Sequence, residues 1–390
     1  MEVRLLAPQE RFEADLISTI AFHMRMEDPE KAREDSLAAT VEDWGAFDAD
    51  GRVAARIINN AFESWLDGNP IRIGGIGAVS TLPEYRGSGA VRELFAQILP
   101  CAYRNGEVVS TLYPFNHAFY RKFGYETVCQ RNVYDFPPDA LRDYRFTGKA
   151  VQWKPGDSVE PYIQLYQRFA RGYNLIIRRT EERFVKKHFK GQYYKDRKFA
   201  YMLYQDGAPA AYLIFQDVRR EPQAILKAED VAWAGPEGFR ALLGFLARFS
   251  ADYGRIELPL PQGLELLSVI HSPDAYAIGK KTDQNYMIRV INAQKLLAAM
   301  RKPAGARFVI RVADDLIPEN DGVWAVDGTE VRRTEEAPDL SADVRALGQM
   351  AVGAASLAEA AFREDVTIHH LTPALESVFV RKPIFVADHY

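Results

Sequence analysis

The chain has 390 residues, 47% of them hydrophobic and 26% charged, the make-up of a globular protein of two or three domains. With 49 Lys and Arg against 53 Asp and Glu, the formal net charge of −4 gives no electrostatic reason to expect nucleic acid or an anionic membrane as partner. Cys101 and Cys129 form neither a metal-ligand nor a disulfide spacing, and the N-terminus lacks a signal-type or membrane-length apolar run, so no metal and a cytoplasmic home are expected.

In chain order, residues 3–7 read as a short strand and residues 9–24 as a helix whose stripe includes Phe12, Leu16 and Ile20. Residues 26–38 are charge-rich and read as a solvated linker or as a lid over a cleft. A hairpin over 44–66 turns at Asp48-Ala49-Asp50-Gly51, and Asp67-Gly68-Asn69-Pro70 makes a further turn. Residues 73–82 are apolar and small and break at Pro83, the pattern of a buried strand. Val91, Leu94, Phe95, Ile98 and Leu99 then share one helical face.

Between that strand and that helix lies Arg86-Gly87-Ser88-Gly89-Ala90. Glycine lets the backbone turn tightly and approach a ligand. The first-turn N–H groups of the helix have no intrahelical partner, and its dipole favours an anion there. Arg86 adds a positive charge, so the stretch reads as a pyrophosphate cradle or as an ordinary strand-to-helix turn. The P-loop pattern is absent, and Arg92 stands where a dinucleotide fingerprint needs glycine.

Residues 108–113 form a second buried-type strand ended by Pro114, followed by a short helix closed by Gly124. A hairpin over 125–136 is expected to complete the sheet. A second unit, 150–283, repeats this periodicity. In an ungapped overlay Arg86 becomes Ala234, Ser88 becomes Pro236, Gly89 becomes Glu237 and Tyr120 becomes Ser268. Proline removes a donor and glutamate repels a phosphate, so this unit is not expected to bind the same anion. A third unit from Tyr286 reads as strand and helix, then strands at 307–312, 322–326 and 331–337, then helices from Ser341 and over 354–361. The His369-His370 pair has no metal-ligand partners and reads as structural or exposed.

Arg86-x-x-Gly89-x-Val91 after a long strand resembles the Arg/Gln-x-x-Gly-x-Gly/Ala loop of Gcn5-related N-acetyltransferases (GNAT), with a departure at the last position. Phe119-Tyr120-Arg121-Lys122-Phe123-Gly124-Tyr125 is similar to the FY-x-x-x-GF/GY context of that superfamily. The third unit resembles a sterol-carrier-protein-like domain, and the domain order resembles the enhanced intracellular survival (Eis) family. The fold class so implied is α/β (α+β): two tandem GNAT folds, 1–149 and a degenerate 150–285, followed by a sterol-carrier-protein-like α+β domain, 286–390.

That resemblance implies an acetyl-CoA-dependent N-acetyltransferase. It assigns Val79, Ser80 and Thr81 to the acetyl and pantetheine arm. Arg86, Gly87, Ser88, Gly89, Ala90, Val91 and Arg92 go to the pyrophosphate, and Phe115 and Asn116 lie near the cofactor. A phenol of pKa ~10 is neutral at pH 7 and can donate to a leaving thiolate; the resemblance gives that role to Tyr120. It gives the base to the C-terminal carboxylate of Tyr390, whose ordinary pKa of ~3.5 must be raised by burial. His389 is the alternative base. No cysteine sits near the motif, so direct transfer in a ternary complex is expected. Phe22, Met24, Asp28 and Trp44 are candidates to line the acceptor cleft. The implied acceptors are amines of aminoglycoside type; protein lysines or a small-metabolite amine are alternatives, as is a lipid- or ligand-binding protein using the third domain. A homo-oligomer, by resemblance a hexamer, is implied.

Overall fold

β1 (Glu2–Leu5), β2 (Glu42–Phe47), β3 (Val53–Leu66) and β4 (Asn69–Thr81) lie side by side and antiparallel in the computed structural model, which describes residues 1–39, 41–189, 196–220, 223–271 and 276–390. The β3–β4 turn is Asp67-Gly68, both at positive φ (53° and 84°), the geometry whose twist suits a two-residue hairpin. α1 (Arg11–Phe22) packs on one face of this sheet through Ala14 and Ile17. The charge-rich segment forms α2 (Pro29–Ala38), because the Asp28 carboxylate caps its start by accepting from the Lys31 N–H at 2.9 Å. α3 (Ala90–Arg104) covers the opposite face, burying Leu94, Phe95, Ile98 and Leu99 as their spacing predicts. β5 (Val109–Leu112) then enters parallel to β4, and α4 (His117–Arg121) follows.

The hairpin expected over 125–136 does not form. β6 (Glu126–Thr127) stays with the first sheet, but β7 (Arg131–Phe136) leaves for the second. That sheet is built from β8 (Lys149–Gln152), β9 (Lys198–Gln205), β10 (Ala208–Arg220), β11 (Gln223–Trp233), β12 (Arg255–Leu260) and β13 (Gly279–Asp283). Its helices are α5 (Glu160–Ala170), α6 (Glu181–His188) and α7 (Gly235–Leu246). β7 slots between β12 and β13. In return β14 (Met287–Val290), from the start of the third unit, slots between β5 and β6. The orders are β1-β2-β3-β4-β5-β14-β6 and β8-β9-β10-β11-β12-β7-β13, the same arrangement with one strand exchanged. The sheets therefore cross the 149/150 and 285/286 divisions of the sequence. Either strand can add antiparallel to either parallel pair, so local pattern does not decide between them.

The third sheet, β17-β16-β15-β18-β19, comprises β15 (Arg307–Ala313), β16 (Gly322–Asp327), β17 (Glu330–Arg333), β18 (Leu340–Asp343) and β19 (Val366–Ile368). α8 (Ala293–Ala299), α9 (Val344–Val352), α10 (Leu357–Ala360) and α11 (Pro373–Val378) pack around it. Ser341 lies in β18 rather than opening a helix; Asp343 caps α9 by accepting from Arg345 N and Ala346 N at 2.9 and 3.0 Å. Phe308, Ile310 and Leu347 share one core with Ile73, Val109 and Ile288 of the first sheet. Arg289 of β14, fully buried, donates to the Phe123 carbonyl at 2.9 Å and to Asp314 at 2.6 Å, which ties those two domains by charge as well.

Candidate active site

β4 and β5 are paired only from Ile73/Val109 to Ile76/Leu112. Beyond Ile76 the two strands part. β4 carries a bulge against β3 there, with Ala78 at φ +51°. The bulge leaves Ala78 and Val79 without a register partner on β3, and pairing resumes at Ser80 and Thr81. The chain then turns through Arg86 into α3, with Gly87 and Gly89 at φ +83° and +90°. L-residues resist that region, which is why glycine stands at both places. The Ser88 hydroxyl accepts from Ala90 N at 3.3 Å and holds the loop against the helix start.

Val79, Ser80, Thr81, Arg86, Gly87, Gly89, Ala90, Val91, Arg92 and Phe115 line one cavity of about 810 Å³. Its floor is strand edge, its end is the unpaired start of α3, and Arg86, Arg92 and Lys122 supply cations. That chemistry suits an elongated ligand bearing a pyrophosphate. Tyr85, Phe119, Lys122, Phe123 and Leu316 also line it and escaped the sequence reading. Lys122 was legible as a cation one turn from Phe119; Leu316 arrives from the third domain and no local pattern announces it. Ser88, Asn116, Tyr120 and Tyr390 are not among the lining residues. Asn116 caps α4, its side-chain oxygen accepting from Phe119 N at 3.0 Å. Of the acceptor-cleft candidates, Phe22 lines this same cavity, Asp28 caps α2, Met24 is 58% exposed, and Trp44 packs against the core beneath α3.

Tyr120 is 2% exposed behind Phe115 and Phe119, with ring centroids 5.3 and 5.2 Å away. Its hydroxyl has no hydrogen-bond partner among the described residues. Burial pushes the phenol above its usual pKa of 10, so it stays protonated at neutral pH and can act as a donor.

The chain end lies on the opposite face of β4. The Tyr390 hydroxyl is 2.5 Å from Thr111 Oγ1 and donates to Tyr286 at 3.4 Å, while its ring packs on Phe62 and Tyr113 at 5.0 and 5.4 Å. β4 is glycine at 75 because a Cβ there would stand 2.7 Å from the Tyr390 ring and 2.6 Å from Phe62. At Gly77 a Cβ would stand 3.7 Å from the main-chain oxygen of Tyr390. The terminus is thus next to the bulge. His389 rests on Tyr113, centroids 4.3 Å apart; burial, then Arg131, lowers its pKa, so its imidazole is neutral at pH 7.

A larger cavity, about 1050 Å³, occupies the corresponding place of the second sheet, lined by Trp233, Pro236, Phe239 and Arg240. It is not the candidate site. β11 ends at Trp233 and α7 starts at Gly235, so residues 82–89 have no counterpart there. Pro236 withholds an N–H, and Glu237 sits in the first turn.

Residues 2–128 match the Acetyltransferase (GNAT) domain, and residues 293–386 match the Sterol carrier protein domain. The chain therefore carries an acetyltransferase (GNAT) domain at one end and a sterol carrier protein domain at the other. Neither match reaches 129–292, which holds the exchanged strands and the whole second sheet. Over its full length the fold is that of a probable N-acyltransferase from Enterococcus faecalis (TM-score 0.87, 19% identity, 100% of this chain and 99% of that one). It is equally that of a GCN5-related N-acetyltransferase from Anabaena variabilis (0.86, 19%, 100% of both chains) and of Eis1 from Mycobacterium abscessus (0.83, 21%, 100% of both chains). No curated protein matches the chain. The GNAT domain implies acetyl-CoA as co-substrate, and the cavity with its left-handed glycines and open helix start fits that molecule. Among the described residues no cluster of His, Cys, Asp and Glu could hold a metal ion, and no helix is long and apolar enough to cross a membrane.

Proposed function

We propose that the protein transfers acetyl from acetyl-CoA directly to a primary amine, with the Tyr390 carboxylate as base and Tyr120 as the donor at sulfur. The observation that supports this is the chain end beside Gly77, two residues from Val79, the first β4 residue to line the cavity. Residues 79–81 and 86–92 hold the cofactor, with Phe115 at its flank. A backbone N–H at the bulge polarises the thioester carbonyl. The neutral amine attacks that carbon, its proton passes to the terminal carboxylate, and the C–S bond breaks. The thiolate accepts a hydrogen bond from Tyr120. Two substrates held together lower the barrier by proximity as well. Cys101 and Cys129 are both outside the cavity, and burial raises both thiols, which favours direct transfer over an acyl-enzyme. The acceptor class is an amine of aminoglycoside type, on the resemblance to Eis enzymes, and the assembly is a hexamer on the same ground.

The test is CoA release with acetyl-CoA and two acceptor sets, aminoglycosides and lysine peptides. Three proteins are compared: wild type, Tyr120→Phe, and a form extended by a few residues after Tyr390. Turnover with aminoglycosides is expected in wild type, falling ~10²-fold in Tyr120→Phe with acetyl-CoA affinity kept, and lost in the extended form. Equal turnover in the extended form removes the terminal base. Turnover with peptides alone moves the acceptor to protein lysines.

A further inference from the structure

Asp388, two residues before the chain end, is 1% exposed and belongs to a charge cluster built by the second domain. Its carboxylate oxygens lie 3.1 and 3.0 Å from Arg179 Nε, and Lys187 Nζ donates to it at 2.9 Å. The far edge of the Arg179 guanidinium grips Asp230 with two hydrogen bonds of 2.7 and 3.0 Å, and Tyr212 donates to Asp230 at 2.7 Å. Arg179 also lies 4.1 Å above the Tyr166 ring. Burial drives His188 beside Asp230 well down in pKa, so it is neutral. Two cations therefore face two carboxylates, Arg179 and Lys187 against Asp230 and Asp388. Although burial opposes it, Arg179 and Lys187 hold Asp388 well below the usual carboxylate range.

The cluster reaches the last residues one by one. Lys187 donates to the Ala387 carbonyl at 2.6 Å, Tyr113 to the Asp388 carbonyl, and Arg183 to the His389 carbonyl at 3.4 Å. Among the described residues no donor reaches the terminal oxygen of Tyr390. Three successive carbonyls are pinned and the next group is left open, which is what a proton acceptor needs. Chain ends ordinarily fray, and a catalytic group must be held within about 0.5 Å.

We propose that Arg179, Lys187 and Asp230 of the second domain are positioning residues for the first domain's base, acting through Asp388. The second unit, without the acetyl-CoA loop, serves the reaction by clamping the tail that crosses it. This rests on the reading of Tyr390 as base.

The experiment uses the full chain. Asp388→Asn removes the charge with little change of shape, and Lys187→Met, at the half-buried rim, covers the case in which Asp388→Asn fails to fold. Thermal unfolding, acetyl-CoA affinity, kcat and its pH profile are measured for both and for the extended form described above. The expected result is a fall in kcat of ~10²-fold for Asp388→Asn, the size a misplacement of about 1 Å produces. Acetyl-CoA affinity is unchanged within about twofold, and the acid limb of the wild-type profile shifts in pH. A purely structural role would scale the profile down with its limb unshifted, and that outcome overturns the proposal. Wild-type kcat in a folded Asp388→Asn, or in a folded Lys187→Met where Asp388→Asn does not fold, overturns it too. If the extended form is inactive while these variants are active, the clamp alone fails. If the extended form is active, the base reading fails and the clamp with it.

Discussion

The first and second sheets have the same strand order, the same parallel pair at the centre and a cavity at the same place, yet only one has a loop that can hold a pyrophosphate. β4 runs into α3 through residues 82–89, with two left-handed glycines; β11 runs into α7 with Ala234 alone between them. The scaffold depends on strand pairing and apolar faces, which tolerate much substitution. Anion binding depends on a few N–H groups and the absence of a Cβ, and a deletion erases it. The second unit kept the first property and lost the second. The GNAT match spans residues 2–128.

The exchange of β7 and β14 predicts the largest effect. A fragment of residues 1–149 lacks β14, so β5 and β6 present open edges flanking its gap. It is expected to give no folded monomer by circular dichroism and gel filtration. Appending residues 286–292 through a flexible linker should recover folded protein; a well-folded 1–149 would show that the exchange is dispensable.

The two glycines at the helix starts separate the cavities. Gly89→Val places a β-branched side chain at φ +90°, a strain of about 1–3 kcal/mol carried by the loop itself. Acetyl-CoA affinity by calorimetry should fall at least tenfold, on the order of 1.4 kcal/mol. Gly235→Val at φ +65° bears similar strain in the second unit and should leave that affinity unchanged. Equal losses would mean that both cavities take the cofactor.

The smallest effect concerns Glu107, beneath β4. It is 1% exposed, accepts from Asn59 at 2.8 Å, and has one carboxylate oxygen without a partner. Burial pushes its pKa from 4.5 up to about 7. From pH 4.5 to 7 the folded state keeps a proton that the unfolded chain releases, so stability falls as pH rises through that window. The loss is complete above pH 7 at about 3 kcal/mol. Glu107→Gln should remove this slope: urea unfolding at pH 8 should favour the variant by ~1–3 kcal/mol, and at pH 4.5 the two should be close. A constant difference at both pH values would show that Glu107 does not titrate there.

Much of the site was legible because its signals are local. The face of α3 follows from spacing within four residues, and Gly87 and Gly89 announce left-handed backbone between a strand and a helix. The glycines of β4 were legible only as small and apolar. Their reason lies in Tyr390 and Phe62 pressing on Gly75, and in Glu107 and Asn59 pressing on Gly74. The hairpin over 125–136 failed as a reading because β7 is as good an edge partner for β12 as for β5. Leu316 and Arg179 carry no signal at all in their own neighbourhoods.

Sequence alone determined most strands and helices, the buried face of α3 and the left-handed glycines before it, since each rests on contacts among residues close in the chain. Tertiary structure decided which sheet each exchanged strand joins, and that the tail crosses the second domain to end beside β4. Arg179 and Asp388 are 209 residues apart, and β14 meets β5 across the whole second domain. Such pairings are selected by burial and charge compensation in the assembled molecule, and no local propensity encodes them.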